Sequence, residues 1–386
     1  MKAARLILVS MLPVIMAACG EGNKQPAEKI ITVDVKASYP EKEVVLQDFA
    51  DVEYVPLETN DEFITQGDVK AIGKKYILVK NWSNDGNIFV FDRKTGKGIR
   101  KINRKGQGAE EYTFINAIVL DEDNDEIFVN CAPMKKIFVY DLAGNFKRSF
   151  EHLKDAEYLE VFNYDNNHLI CYDISGYYKD GELRSKPYHA IISKQDGSLT
   201  RNIPIPFEKI KAPTVQEGEG MAVTSVNPIV PYHDNWLLVE TSSDTVYNYI
   251  SKENKLSPFL VKTPSKDPVI FLTMGTLTDR FYFMTTIKKV FNFKTGRGFP
   301  FTDLMYDKQE NAIFNANVWN GDYVKKERVN MTARPLNGEI ATLQVLAANQ
   351  LVEAHKNDGL KGKLKEIAAT LDEESNPVIM LVKYKK

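Results

Sequence analysis

The chain has 386 residues, of which 43% are hydrophobic and 11% aromatic, so it can bury a large core. Closed β architectures often exceed the usual domain size as single units, and this length therefore fits one domain. With 50 basic and 52 acidic residues the net charge is −2, which argues against nucleic acid as a partner because no excess positive field is present.

The first 18 residues have the pattern of an export signal. Lys2 and Arg5 give a positive start, residues 6–18 form an apolar run too short for a good membrane span, and small residues precede Cys19. This ending resembles the lipobox of bacterial lipoproteins, in which signal peptidase cleaves before the cysteine and the thiol is acylated. The resemblance predicts a lipid on Cys19, and a plain secretory peptide cleaved near Ala18 is the alternative.

The residues after the cysteine predict a tether followed by a globular body. The stretch GEGNKQPAEK is polar, contains glycine and proline and has little to bury, which is typical of a linker. We therefore expect a polar tether over residues 19–45 and a folded domain over residues 46–386. Together with the lipid, this organisation predicts a protein outside the cytoplasm, anchored to a bacterial membrane that we expect to be the outer membrane.

A strand pair recurs along the chain at spacings near fifty residues. Each copy is an apolar run that ends in a glycine or asparagine turn, and a second short apolar run precedes it. The runs are rich in β-branched and aromatic residues, which favours strands over helices. The five copies are Asn87–Lys97, Lys136–Phe146, His189–Leu199, Thr245–Leu256 and Lys289–Phe299. Such pairs are typical of the middle strands of β-propeller blades.

The glycine-rich stretch RKGQGAEEY, residues 104–112, fits a turn better than a phosphate cradle. A dinucleotide fingerprint would need glycine at Glu111 and a following helix, and a P-loop would need Gly-Lys-Ser/Thr. Glycine also permits positive φ in tight turns, so a structural role is sufficient. Residues 106–150 resemble one NHL-repeat blade, with an inner strand that ends at Asp121.

On these features the chain resembles the exported six-bladed β-propeller lipoproteins of Bacteroidetes, of NHL-repeat-like or TolB-like type. The resemblance also includes DVEYVPLET at residues 51–59 and NPVIMLVKYK at residues 376–385. It implies an all-β fold with six blades. Helical spacing over residues 338–371, beginning at Ile340, predicts two short helices that decorate the last blade. The strands Val52–Leu57 and Val378–Lys383 are expected to pair and close the ring.

Cys131 and Cys171 leave two interpretations open. An even number of thiols in an exported chain is compatible with one disulfide. Their apolar flanks, EIFVNC and HLICY, favour two buried free thiols instead. No Cys-x-x-Cys pair occurs, and the five histidines have no zinc-binding spacing.

Candidate binding residues come from aligning the ends of the second strands. This places Lys80, Asn130, Tyr172 and Glu240 in one polar column at the rim, with Asp173 immediately after Tyr172. Polar residues there are also expected simply because strand ends reach solvent.

Two loops add further candidates. Arg104 lies in the loop before blade 2, and we expect it near the central channel. Tyr177 and Tyr178 lie in the longest loop of this rim, residues 173–188, where they would either stack on a sugar, grip a peptide, or pack the loop onto the blade.

The fold hosts many activities, so function must come from the site. We expect a non-catalytic, lipid-anchored module that binds a glycan, a peptide or an envelope protein and needs no cofactor. The alternative is a lactonase or esterase in which Asn130, Asp173 and Glu240 hold calcium. The repeat places no histidine near these three residues as a general base. A carbohydrate-active enzyme on the propeller face is the other alternative, although no suitable carboxylate pair is evident.

Overall fold

The computed structural model describes residues 30–175, 180–182, 189–203, 207 and 209–385, and residues from Ile31 onward form one compact unit. Six sheets of mainly antiparallel strands follow one another along the chain as the blades of a propeller. The predicted six-bladed fold is confirmed. No helix within the described residues is long and apolar enough to cross a membrane.

Blades 1 to 3 each have four strands, and in every blade the innermost strand is named first. Blade 1 consists of Asp68–Ile72, Tyr76–Lys80, Asn87–Asp92 and Gly98–Asn103. Blade 2 consists of Ala117–Asp121, Glu126–Cys131, Lys136–Asp141 and Phe146–Glu151, with a short 3-10 helix at Ala132–Met134. Blade 3 consists of Tyr158–Asn163, His168–Asp173, His189–Ser193 and Leu199–Asn202.

Blades 4 and 5 each gain a fifth, outer strand from the N-terminal segment. Blade 4 consists of Ile229–Tyr232, Asn235–Leu238, Thr245–Ile250, Lys255–Lys262 and, in parallel, Ile31–Val33. Blade 5 consists of Ile270–Leu277, Phe281–Lys288, Phe301–Asp307, Ala312–Trp319 and, in parallel, Glu41–Val45. Residues from Ile31 onward, which the sequence places in the tether, are thus part of the folded body.

Blade 6 is closed by an early strand and the final strand of the chain. Its strands from the inside outward are Ile340–Leu346, Val378–Tyr384 and Ala50–Pro56. The predicted pairing of the early and final strands is confirmed, with Val52 opposite Val382. This pairing gives the final strand a hydrogen-bonded neighbour on each side and so covers edges that would invite aggregation.

Three helices belong to blade 6: Leu46–Phe49, Ala348–Lys356 and Gly362–Ala368. Leu351, Leu364 and Ile367 are buried against the sheet, so the predicted helices do decorate the last blade. The helical spacing was wrong at its start, because Ile340–Leu346 is a strand. Both faces of this strand pack against neighbouring blades, and this packing outweighs the helical spacing of its apolar residues.

One hydrophobic layer lies between each pair of neighbouring blades. In blade 2, Ile127 and Val129 face blade 1 while Phe128 faces blade 3. Successive side chains of a strand point to opposite faces, so a blade packed on both faces needs an unbroken apolar run. Cys131 and Cys171 belong to different layers, and both are buried and free.

Four of the five predicted repeats coincide with third strands, and the fifth is wrong. The segment Lys289–Phe299 contains only a small hairpin, Phe291–Asn292 with Arg297–Gly298, inserted before the third strand of blade 5 at Phe301–Asp307. The motif FNFKTGRGF imitates a strand and turn, but its side chains stay largely exposed. A further small hairpin pairs Thr214–Glu217 with Gly220–Val223, and a separate two-stranded sheet pairs Gly181–Glu182 with Lys209–Ile210.

The two ends of the blades define the two faces of the ring. In blades 1 to 5 the second and fourth strands end at the face that we call the rim face, which carries the loops to the third strand and to the next blade. The first and third strands of these blades end at the opposite face, which we call the turn face because short turns dominate it. The predicted column of second-strand ends lies on the rim face.

Candidate functional site

The glycine-rich loop before blade 2 is held by its own glutamate. The Glu111 carboxylate accepts a hydrogen bond from the Gly108 N–H at 2.8 Å. A Cβ on Gly106 would lie 1.9 Å from the same carboxylate, so a larger residue there would displace the glutamate side chain. An internal carboxylate thus occupies the place that a phosphate would need, and the structural interpretation of this loop holds.

Arg104 and Lys80 both form contacts within the folded chain. The Arg104 Nε donates to the carbonyl of Gly144 at 2.9 Å, in the turn between the third and fourth strands of blade 2. This contact joins blade 1 to the outer strands of blade 2, so the expectation that Arg104 lies near the central channel was wrong. The Lys80 Nζ donates to the Asn81 carbonyl at 2.8 Å and lies 3.4 Å from a carboxylate oxygen of Asp68. The ligand-binding roles of Arg104 and Lys80 remain predictions.

Asn130 lies in a buried hydrogen-bonded group between blades 2 and 3. Its Nδ2 donates to the Tyr158 carbonyl at 2.8 Å, and its Oδ1 accepts from His152 Nε2 at 2.9 Å. The Tyr158 N–H donates to His152 Nδ1 at 3.2 Å. These partners fix a neutral imidazole with its proton on Nε2. Burial, reinforced by the charge of Lys135, lowers the pKa of His152 to about 4.

Asp173 and Glu240 are buried in the same region. Asp173 Oδ1 accepts from the Glu157 and Ser175 N–H groups at 2.9 and 2.8 Å. Glu240 Oε1 lies 2.5 Å from His189 Nε2, and the side chains of that pair are 3% and 1% exposed. The Tyr172 ring stacks on the His189 imidazole with centroids 5.2 Å apart.

These residues form what we call the polar seam: Asn130, His152, Tyr172, Asp173, His189 and Glu240. The expectation that no histidine lies near the predicted trio was wrong, because His152 and His189 contact two of its members. Neither imidazole is adjacent to its partner in sequence, so the repeat spacing alone could not indicate them.

The three candidate calcium ligands in the seam have separate partners. Asn130 bonds to Tyr158 and His152, Asp173 to two backbone N–H groups, and Glu240 to His189. No group of three or more histidine, cysteine, aspartate or glutamate side chains suited to a metal occurs among the described residues. The calcium site therefore remains only a sequence-based hypothesis. Tyr177, Tyr178 and Cys19 lie outside the described residues.

An ion pair crosses the central channel. Arg334 Nη1 donates to Glu160 Oε2 at 2.6 Å, and its guanidinium lies 4.2 Å from the centroid of the Phe162 ring. Glu160 and Phe162 belong to the innermost strand of blade 3, which stands opposite blade 6 in the ring. Arg334 comes from an irregular segment that precedes the inner strand of blade 6. The pair thus links two blades that share no sheet contact.

A cavity of about 710 Å³ lies at this point and opens towards the turn face. Five blades line it, with Lys74 and Asp123 at exposed turns of blades 1 and 2 and with Asp234 at the turn of blade 4. Tyr164 and Trp236 stack beside it with centroids 6.2 Å apart. Its walls thus combine both signs of charge with an aromatic ledge, and its volume is typical of a small-molecule or oligomer site.

Two ion pairs, one of them buried, join neighbouring blades at the turn face around the cavity. Lys194 of blade 3 pairs with Asp121 of blade 2, and both side chains are almost fully buried. Arg93 of blade 1 reaches Glu339 of blade 6 at 2.6 Å, and that carboxylate raises the pKa of Arg93. In each case a basic residue directly after a third strand bonds to the blade before it.

Sequence analysis missed the cavity because its residues share no motif. Short turns bring Lys74, Asp123 and Asp234 together, and their sequence neighbours resemble ordinary surface turns. The recurring basic position after the third strand, Arg93 and Lys194, was the available signal for the turn face.

Comparison with known proteins agrees with this geometry. Residues 21–339 match DUF5128, a family described as a 6-bladed beta-propeller. The chain belongs to this family. No curated protein matches the sequence.

Two solved structures are similar to this chain, and the first of them supports its fold. A protein from Bacteroides fragilis NCTC 9343, described as exported, is 16% identical with a TM-score of 0.62, covering 93% of this chain and 100% of that one. A DUF4221 protein from Bacteroides vulgatus ATCC 8482 is 10% identical with a TM-score of 0.47, covering 88% of this chain and 98% of that one. The first similarity supports the propeller fold of this family member and nothing finer.

Proposed function

We propose that this chain is a non-catalytic binding module of the bacterial cell envelope, anchored by a lipid on Cys19. It binds a polar ligand, a glycan or a peptide, in the cavity at the turn face of the channel. The observation that carries the proposal is the cavity of about 710 Å³ whose walls come from five blades. A site assembled from so many blades is already shaped before the ligand arrives, which lowers the entropy cost of binding.

The lining chemistry favours a ligand with hydroxyl and amide groups. Lys74, Asp123 and Asp234 are exposed, so they offer hydrogen bonds without breaking an internal pair. Tyr164 and Trp236 supply a flat apolar edge beside these charges, as sugar rings and peptide side chains require. Because both charge signs are present, a strongly charged polyanion or polycation fits less well.

The polar seam supports binding or structure more than catalysis. His189 and Glu240 are 1% and 3% exposed, so a substrate has no access to them in this conformation. A general base must come within hydrogen-bond reach of the proton that it removes. The lactonase or esterase alternative would need the rim face to open.

Two features support the proposed location. The N-terminal pattern ends in small residues before Cys19, as lipoprotein signals do. The Bacteroides fragilis protein with the same fold is described as exported. We place this chain outside the cytoplasm and on the outer membrane.

Thermal unfolding in the presence of candidate ligands tests the binding site. A ligand that prefers the native state raises the melting temperature, so we expect a shift with peptidoglycan fragments, oligosaccharides or short peptides. Asp234→Asn and Lys74→Ala should reduce that shift, whereas Lys154→Ala on the opposite face should not. A shift that persists in both cavity variants would place the ligand elsewhere. A shift with calcium ions that Glu240→Ala removes would favour the enzyme alternative.

The anchor has its own test. Cells fed an alkyne fatty acid should label the wild-type chain, and Cys19→Ser should abolish the label. Fractionation of the two membranes then reports the location. Labelling that survives in Cys19→Ser would remove the proposed anchor.

A further inference from the structure

Two hairpins on the rim face of blades 4 and 5 carry exposed apolar side chains. The loop that leads into blade 4 forms the hairpin at residues 214–223, where Met221 and Val223 are 50% and 57% exposed. The inserted segment of blade 5, residues 288–301, exposes 40% of Val290 and 66% of Phe301. Side chains of this size rarely stay exposed together without a partner surface.

The two hairpins touch each other and so form one platform. A Cβ on Gly220 would lie 3.0 Å from the Phe293 ring, which shows how closely the first hairpin approaches the second. Phe293 packs on Phe291, whose ring also contacts Phe299. This aromatic cluster supports the second hairpin from within, which leaves Phe301 pointing outward. We call residues 214–223 and 288–301 the hairpin platform.

The charge of the platform is mixed, with the basic residues on the larger hairpin. Lys288, Lys294 and Arg297 are exposed, and residues 288–301 contain no acidic residue. The smaller hairpin contributes Glu217 and Glu219, also exposed. Lys289 is neutralised by Asp180 at 2.8 Å. The three exposed cations therefore outnumber the two exposed acids, and they lie on the same hairpin segment as Phe301.

The N-terminal segment attaches the proposed anchor to the outer edge of blade 4. Ile31–Val33 pairs in parallel with the fourth strand of blade 4, and Ile31 lies opposite Leu260, two residues from the rim-face end of that strand. Residues 19–30 span at most about 40 Å even when fully extended. A folded unit of this length has a radius of gyration of about 20 Å. The tether is therefore no longer than the molecule is wide, and a lipid on Cys19 would keep the edge of blade 4 close to the bilayer.

From these observations we propose that the hairpin platform docks onto an anionic lipid surface. Phe301, Val290 and Met221 insert into the interface, and Lys288, Lys294 and Arg297 meet the headgroups. Aromatic and aliphatic side chains flanked by lysine and arginine have the composition of interfacial membrane contacts. Docking by the rim face leaves the cavity on the turn face directed away from the bilayer. This inference rests on the proposed membrane attachment and adds a second contact to the lipid anchor.

Vesicle flotation of a chain that starts at residue 20 tests the platform, because that chain keeps the whole compact unit and lacks the lipid. The probe is a vesicle of phosphatidylethanolamine and phosphatidylglycerol, with phosphatidylcholine vesicles for comparison. We expect binding to the anionic vesicles and at least tenfold weaker binding for Phe301→Ser. Each of Lys294→Ala and Arg297→Ala should weaken it about fivefold.

Leu199→Ser is the matched control, because Leu199 is 43% exposed on the outer strand of blade 3, away from the platform. Its binding should equal that of the wild type. Absence of wild-type binding to anionic vesicles would overturn the proposal, as expected if the platform instead meets a protein. Equal losses for Phe301→Ser and Leu199→Ser would also overturn it. The labelling of Cys19 and the ligand-induced melting shift use no vesicles, so their outcomes are independent of this one.

Discussion

Replacing His152 with glutamine would remove a proton-sensitive group from the polar seam. Glutamine can still donate to Asn130 Oδ1 and accept from the Tyr158 N–H, the two bonds that the neutral imidazole makes at 2.9 and 3.2 Å. A protonated imidazole loses the second bond, because its Nδ1 no longer accepts. The folded state therefore holds His152 neutral, and burial lowers its pKa to about 4 from 6.5.

The sign and size of the pH effect follow from this shift. Between pH 6.5 and 4 the unfolded chain binds a proton at His152 that the folded chain rejects, so stability falls as pH falls. The difference between the unfolded and folded pKa values of His152 corresponds to about 3 kcal/mol of folding stability. About 2 kcal/mol of this stability is lost between pH 7.5 and pH 5. Above pH 6.5 both states are neutral and the contribution is complete.

Urea unfolding of both proteins at pH 7.5, 6 and 5 measures this contribution. The wild type should lose about 2 kcal/mol more than His152→Gln over that range, because the other titrating groups are common to both chains. A titration of the wild-type imidazole by NMR gives the folded pKa directly. Parallel pH profiles for the two proteins would refute the assignment of a buried neutral imidazole.

Three further predictions concern the ring. Arg334→Leu should lower the free energy of unfolding by about 1–2 kcal/mol. A double-mutant cycle with Glu160→Gln, followed by thermal unfolding, should show that the two losses are coupled. Additive losses would mean that the ion pair across the channel contributes nothing to stability. Lys194→Met should lower the free energy of unfolding in urea by about 3 kcal/mol, because it leaves the buried Asp121 carboxylate without its cation. A near-neutral effect on stability would contradict this prediction. Gly96→Ala should lower the melting temperature more than Gly296→Ala, because both have positive φ but only at Gly96 would a Cβ meet a backbone oxygen, at 1.8 Å. Equal melting temperatures for the two glycine variants would show that the clash is relieved at no cost.

The strand pattern was predictable because it has a local cause. Runs such as EIFVN are apolar at nearly every position since each blade is covered on both faces, and their turns contain glycine or asparagine. The same logic failed at Lys289–Phe299, whose composition imitates a blade strand but whose side chains remain exposed on an inserted hairpin. Burial depends on what packs against a segment, and no local pattern records that.

The candidate site was predictable only in part. Alignment of second-strand ends placed Asn130 and Glu240 at the rim face, but it missed their partners His152 and His189. The cavity on the turn face was not anticipated at all. Its residues come from five turns that are distant in sequence and lack a shared spacing.

By itself the sequence determined the all-β class of fold, because hydrophobic period and turn chemistry act over a few residues, whereas the number of blades came from the family resemblance. Only the tertiary structure decided which polar residues are buried in pairs and which line a cavity. Arg334 illustrates the difference: it meets Glu160, 174 residues away, across the channel, and only the closed ring brings them together. Contacts of that kind depend on the geometry of all six blades.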